Sequence, residues 1–240
     1  MREITILDRT RTKRHAPTRG VVAAIAAALQ VQLERDFAPV WGIEPPAVTV
    51  EGRGEPIYVF DSDASGDYGA TTAGRGGRPF AHVYAKPSFD HGCSWLTGTD
   101  SIASSISHEA LEMLADPSVN TYHFNGARLM WGHDVCDPVQ EITYGIRARG
   151  RLVPVSDFVR PAYFNPYGAA GPYDFRRELR APFTIARGGY ATVEQARGPH
   201  AREHHRIDVT FVHVPKWRQR LKRTGGGRTA WRLLLANLPA

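Results

Sequence analysis

An α+β fold is what this sequence predicts, and three observations predict it. Short runs of β-branched and aromatic residues recur from one end of the chain to the other. Two segments, at 19–36 and 99–117, carry the 3.6-residue periodicity of helices. The runs that follow the second helix are strand-like again, so helices and strands do not alternate as they do in a parallel α/β fold. At 240 residues, 42% hydrophobic and 22% charged, the chain has the length and composition to bury a sizeable core. No internal repeat is apparent. No run approaches the ~18 apolar residues of a membrane span. The N-terminal MREITILDRTRTKRH has no apolar signal core, so a cytoplasmic location is expected.

Taken in order, Glu3 to Leu7 reads as a first strand, followed by the basic connector RTRTKRH. From Arg19 to Asp36 an alanine- and leucine-rich stretch predicts a long helix; Pro17 and Thr18 mark its start and Pro39 its end. Ala47 to Glu51 and Pro56 to Asp61 are short strands. Residues 61–77 are rich in Gly, Ser, Thr and Asp and predict a loop or wide hairpin connection. No helix opens directly after the glycine run there, which argues against a phosphate cradle. Pro79 to Lys86 is a fourth strand, and 89–98 a loop with His91, Cys93 and Trp95.

The second helix falls in TDSIASSISHEALEMLADP, Thr99 to Pro117. On a helical wheel Ile102, Ile106, Ala110, Met113 and Leu114 share one side, and Ser105, His108, Glu109, Glu112 and Asp116 the other. Asp100 or Ser101 can cap its start. Pro117 disfavours the helical region for Asp116, so the helix is expected to stop near Ala115. Glu141–Ile146 and Leu152–Val159 then predict a hairpin over RARGR. The aromatics Tyr163, Phe164, Tyr167, Tyr173 and Phe175 either cover the core or line a groove, and Tyr163 or Tyr167 is a candidate oxyanion donor. One more strand and a loop are expected in 181–198, and another strand in 206–214.

The polar stripe of the second helix contains His108-Glu109-x-x-Glu112. His108 and Glu112, one turn apart and roughly 6 Å along the axis, can converge on one divalent cation, zinc first. Glu109 occupies the position that holds the general base in His-Glu-x-x-His metallopeptidases. A solvated amphipathic face is the competing reading. Against it, none of these acids has a Lys or Arg at i±4, so a His and three acids crowd one face without a countercharge. Asp137 is the preferred third ligand, with Asp116 and His133 as alternatives. Cys93 and Cys136 are expected to be free thiols, with thiolate ligation a further alternative.

The net charge of +6 is uneven. Residues 199–240 hold seven Arg and two Lys against one Glu and one Asp, a balance of +7, which leaves −1 for the rest. Lys216, Arg218, Arg220, Lys222 and Arg223, interleaved with tryptophans, are the candidate contacts to nucleic acid or an anionic surface.

The phrases RDFAPVW (35–41), SHEALEMLADP (107–117), VCDPV (135–139) and VSDFVRPAYF (155–164) resemble an uncharacterised zincin-like family of phage and bacterial proteins. The resemblance implies a twisted mixed sheet backed by the long N-terminal helix, with the metal-site helix after the edge strand and a β-rich C-terminal extension. It divides the chain into a zincin-like domain (1–165), an extension packing on it (166–214) and a basic tail (215–240). By position it makes His108 the first ligand and Glu109 the base, and sets Glu112 where zincins carry their second His. The activity implied is metal-dependent hydrolysis of a peptide or protein. The extra carboxylate weakens Lewis acidity and raises the pKa of bound water, which favours the alternative of an inactive binding or structural protein.

Overall fold

The computed structural model describes residues 2–62, 68–74, 78–127, 129–195 and 210–213, and the architecture is a mixed α+β one. Strand β1 (Glu3–Asp8) runs parallel to β2 (Ala47–Thr49) on one side and to β3 (Glu55–Phe60) on the other. Strand β5 (Phe80–Tyr84) continues the parallel run beside β3, and β4 (Gly69–Thr72) closes the order β2-β1-β3-β5-β4 antiparallel to it. Alternation does the sorting: Ile4, Ile6, Ile57, Val59, Ala81 and Val83 point to one face and are buried, while Tyr58, Phe60, Phe80, His82 and Tyr84 form a half-buried ladder on the other.

Helix α1 (Arg19–Val31) packs Val22, Ile25, Ala28 and Leu29 into the core. The helical path continues through a π-helical turn (Gln32–Phe37) into α2 (Ala38–Trp41), and Gly42 ends it in the left-handed conformation that glycine adopts without steric cost. The π turn places Gln32 in the interior. Its Nε2 donates to the Ser156 carbonyl at 2.8 Å, and its Oε1 accepts from Ser107 Oγ at 2.7 Å.

A short helix α3 (Ala85–Asp90) precedes α4 (Ile102–Ala115). Ser101 is the N-cap of α4, accepting from the Ser104 N–H, and the helix ends at Ala115 ahead of Pro117. Helices α1 and α4 lie between the five-stranded sheet and an antiparallel ribbon of β8 (Thr143–Ala148) and β9 (Arg151–Ser156). Beyond α4, β6 (Tyr122–Phe124) and β7 (Leu129–Gly132) form a hairpin, and β10 (Tyr190–Gln195) and β11 (Thr210–His213) extend it into a second sheet, β11-β10-β7-β6.

Four elements depart from the expectations. The polar stretch 61–77 contains β4, the first part of the 89–98 loop belongs to α3, and β6 and β7 lie where no strand was expected. No helix among the described residues is long and apolar enough to cross a membrane.

Candidate metal centre

The polar stripe of α4 does not face water. His108 is 6% exposed and Glu109 5% exposed, and Ser104 and Ser107 are buried as well. Glu112, half-buried, is the residue of the trio nearest the surface. One turn of helix brings His108 Nε2 to 3.2 Å from Glu112 Oε1. The third donor arrives from the chain after β7, where a 3-10 turn (Asp137–Val139) projects Asp137 toward the helix. His108 Nε2 stands 3.1 Å from Asp137 Oδ1, and the three donor atoms lie within 4.8 Å of one another.

Asp137 Oδ1 is buried and accepts no aligned hydrogen bond, and its charge is met by His108 Nε2 at 3.1 Å, an ion pair when the ring is protonated. A divalent cation taking the place of that proton would answer the same buried charge. The two short separations support the same reading: donors 2.0–2.1 Å from a tetrahedral metal are about 3.3 Å apart. A divalent cation therefore fits the group by burial, by donor type and by spacing.

Glu109 points away from this trio, toward β4. Its Oε2 accepts a hydrogen bond of 2.7 Å from Thr71 Oγ1. Two residues earlier on the same strand, a Cβ built on Gly69 would lie 2.5 Å from Glu109 Oε1. The absence of a side chain at Gly69 is therefore what admits the carboxyl group.

The electrostatics of the cation-free site are those of crowded buried acids. Burial, then the charge of Glu112, pushes Asp137 up to about 6. Burial pushes Glu109 up to about 8, with His108 and Thr71 opposing and the neighbouring acids adding to the rise. Burial and Asp137 raise Asp134 to about 7. For His108 burial alone would lower the pKa, but the charge of Glu112 and the close pairing with Asp137 and Glu112 outweigh it, and the ring titrates well above its ordinary value. Of the three donors, His108 and Asp137 each resist the ionisation state needed to bind a metal, and a cation placed among them reverses that resistance.

Other residues that the sequence put forward lie elsewhere. Asp116 caps the turn after α4, its Oδ2 accepting from the N–H groups of Asn120 and Thr121 at 2.9 and 2.7 Å. His133 Nδ1 meets His123 Nε2 at 2.5 Å, and both rings stack on Phe164. Neither Asp116 nor His133 belongs to the donor group found among the described residues. Both cysteines are free, and the buried Cys136 thiol is pushed up in pKa by burial. Tyr163 is fully buried and donates to the Thr184 carbonyl, and Tyr167 is exposed on the surface, so neither lies at the centre. The tyrosine that does reach the centre is Tyr190, whose hydroxyl bonds to the Asp137 carboxylate. Nothing in the sequence tied position 190 to position 137. The basic residues Lys216, Arg218, Arg220, Lys222 and Arg223 lie outside the described residues.

No protein-family model, no curated protein and no solved structure matches this chain.

Proposed function

We propose that the protein is a metal-dependent hydrolase of zincin type, most simply a peptidase, with His108, Glu112 and Asp137 holding a divalent cation and Glu109 acting as the base. The observation that carries this reading is the convergence of His108, Glu112 and buried Asp137, three donor atoms within 4.8 Å of one another, with Glu109 next to that group on the same helix. Zinc is the first candidate for this donor set, and manganese or ferrous iron its nearest competitors, because two carboxylates join a single imidazole.

Held there, the cation would polarise a scissile carbonyl and make water a nucleophile near neutral pH. In the base role the Glu109 carboxyl, held by Thr71 through Oε2 and packed on Gly69 through Oε1, would turn from β4 toward the cation to take a proton from the attacking water. The same carboxyl group then returns that proton to the amine as the C–N bond breaks. Strand β4 is terminal in the sheet order and carries Thr71, so an extended peptide pairing along it would pass Glu109.

A second reading has its own support. Glu109 is 5% exposed and tied to Thr71, as a structural residue would be, and this favours a metal-stabilised protein without catalysis. Metal analysis of tag-free protein, repeated on His108→Ala and Glu109→Gln, distinguishes the two. About one equivalent of cation that is lost in His108→Ala supports the centre. Retention of the cation in Glu109→Gln, with loss of hydrolysis of a denatured protein substrate, supports catalysis. Full retention of hydrolysis in Glu109→Gln overturns it. Absence of metal, with no change in stability on chelation, overturns the centre itself.

The acidic, buried centre gives no account of the basic segment 215–240. Binding of that segment to nucleic acid or an anionic surface is a separate proposal that rests on its charge alone.

A further inference from the structure

The chain reaches the centre a second time, from the C-terminal extension. Ala186 N–H donates to the Pro138 carbonyl at 2.9 Å, so the segment leading into β10 is bonded to the turn that carries Asp137. At the next contact there is no room for a side chain: a Cβ on Gly189 would lie 2.3 Å from the Pro138 carbonyl oxygen and 2.9 Å from that of Asp137. A Cβ on Gly188 would lie 2.1 Å from the Glu141 Cδ, and Gly188 adopts a left-handed φ of 83°. This close approach delivers Tyr190, half-buried, to the Asp137 carboxylate, which its hydroxyl bonds. Two residues later Thr192 bonds to Asp134, so one strand holds both acids of the turn.

Asp137 has two oxygens with different fates. Oδ1 pairs with His108 Nε2 at 3.1 Å and accepts no aligned hydrogen bond. The Tyr190 hydroxyl therefore falls to Oδ2. A carboxylate free to rotate about its terminal torsion could present either oxygen, or both, to a cation. One held through Oδ2 presents Oδ1 alone.

We infer that Tyr190 is a positioning residue for the centre: its hydroxyl holds Oδ2 of Asp137 so that Oδ1 is presented as a single-oxygen ligand beside His108 and Glu112. This rests on the metal-centre reading above and adds to it the source of the third ligand's orientation. The hydrogen bond also draws negative charge from Asp137. That charge is the one by which a second carboxylate weakens the Lewis acidity of the cation.

The test compares zinc affinity, by competition with a chromophoric chelator, in the tag-free full chain and in Tyr190→Phe. Tyr163→Phe is the control, because it removes a tyrosine hydroxyl that bonds the Thr184 carbonyl and not the Asp137 carboxylate. Tyr190→Phe is expected to bind zinc about 10- to 100-fold more weakly, the loss typical of removing a group that orients a metal ligand. Its cobalt-substituted form is expected to show a changed visible spectrum. Tyr163→Phe is expected to match the wild type in both. Equal zinc affinity and an unchanged cobalt spectrum in Tyr190→Phe overturn the inference while the centre stands, and so does an equal loss in Tyr163→Phe. Failure of the wild type to bind zinc overturns the centre, and the inference with it. Should Tyr190→Phe not fold, the ring signal of Tyr190, labelled with 13C in the wild type, can be followed by NMR. A shift of that signal on zinc addition supports the inference, and no shift overturns it.

Discussion

The stability of the cation-free protein should fall as pH rises from about 5 to about 8, and a bound cation should reverse the trend. Glu109, Asp137 and Asp134 titrate near 8, 6 and 7, all above the ordinary carboxyl range because burial penalises their charged forms. A carboxyl raised in the folded state contributes its full stability below the unfolded value. That contribution is lost as pH climbs through the folded value. His108, raised by its acidic neighbours against the effect of burial, has the same sign. Each pH unit between the folded and unfolded titrations is worth about 1.4 kcal/mol per group. For Glu109, moved from 4.5 to about 8, the complete cost is on the order of 5 kcal/mol, comparable with the whole stability of a domain.

Urea unfolding in the presence of a chelator, at about pH 5 and about pH 8, measures this directly. Replacing Glu109 with Gln removes its titration and keeps the shape, so the variant should be more stable than the wild type at the higher pH by a few kcal/mol and nearly equal at the lower. Saturating zinc, at about 100 times its dissociation constant, should add about 2.7 kcal/mol to the wild type, with tighter binding at higher pH because the ligands must lose protons. A cation-free stability that is flat or rising over this range, or a Glu109→Gln variant weaker than wild type at both pH values, refutes the reasoning.

Three more outcomes follow from the geometry. Gly69→Ala drives a methyl group to 2.5 Å from Glu109 Oε1 and 2.9 Å from the His82 carbonyl. It should cost about 1–3 kcal/mol by overpacking and cut hydrolysis at least about tenfold while metal content stays at the wild-type level, and unchanged hydrolysis would count against the placement of Glu109. Gln32→Leu strands the Ser107 hydroxyl and the Ser156 carbonyl in the core. Loss of about 2–4 kcal/mol is expected in urea unfolding, and a change under about 0.5 kcal/mol would show the network to be dispensable. Deletion of 215–240 should abolish salt-sensitive retention on immobilised DNA or RNA if that segment binds phosphates, and leave zinc binding intact.

Much of the scaffold could be read from the sequence because local signals and tertiary demands agreed. The helix over 102–115 followed from its apolar stripe, its Ser101 cap and Pro117, and β1, β3, β5 and the β8–β9 ribbon followed from alternation. Strand β4 did not, and the reason lies in the site. Its Gly69 and Ala70 lack strand propensity, and the Glu109 carboxyl excludes anything larger than glycine at 69. Helix α3 was hidden by Pro87 near its start, and β6 and β7 are only three and four residues long, too short for periodicity to register.

The site itself shows where a helical wheel stops being informative. A wheel separates apolar from polar faces, but it cannot say whether the polar face meets water or another layer of protein. Here it meets β4 through Glu109, the 135–137 segment through Glu112 and His108, and β9 through Ser107. The one sequence feature that bore on the difference was the lack of any Lys or Arg at i±4 from the acids, since an exposed acidic stripe commonly carries such partners. Asp137 could be proposed because it closes a short apolar run, but the Tyr190 hydroxyl that bonds its carboxylate comes from a strand about fifty residues further on, beyond the reach of any local pattern. A donor group assembled from α4 and a separate turn has no fixed sequence spacing, so the motif carries only His108, Glu109 and Glu112. The geometry of the third ligand is a property of the packing.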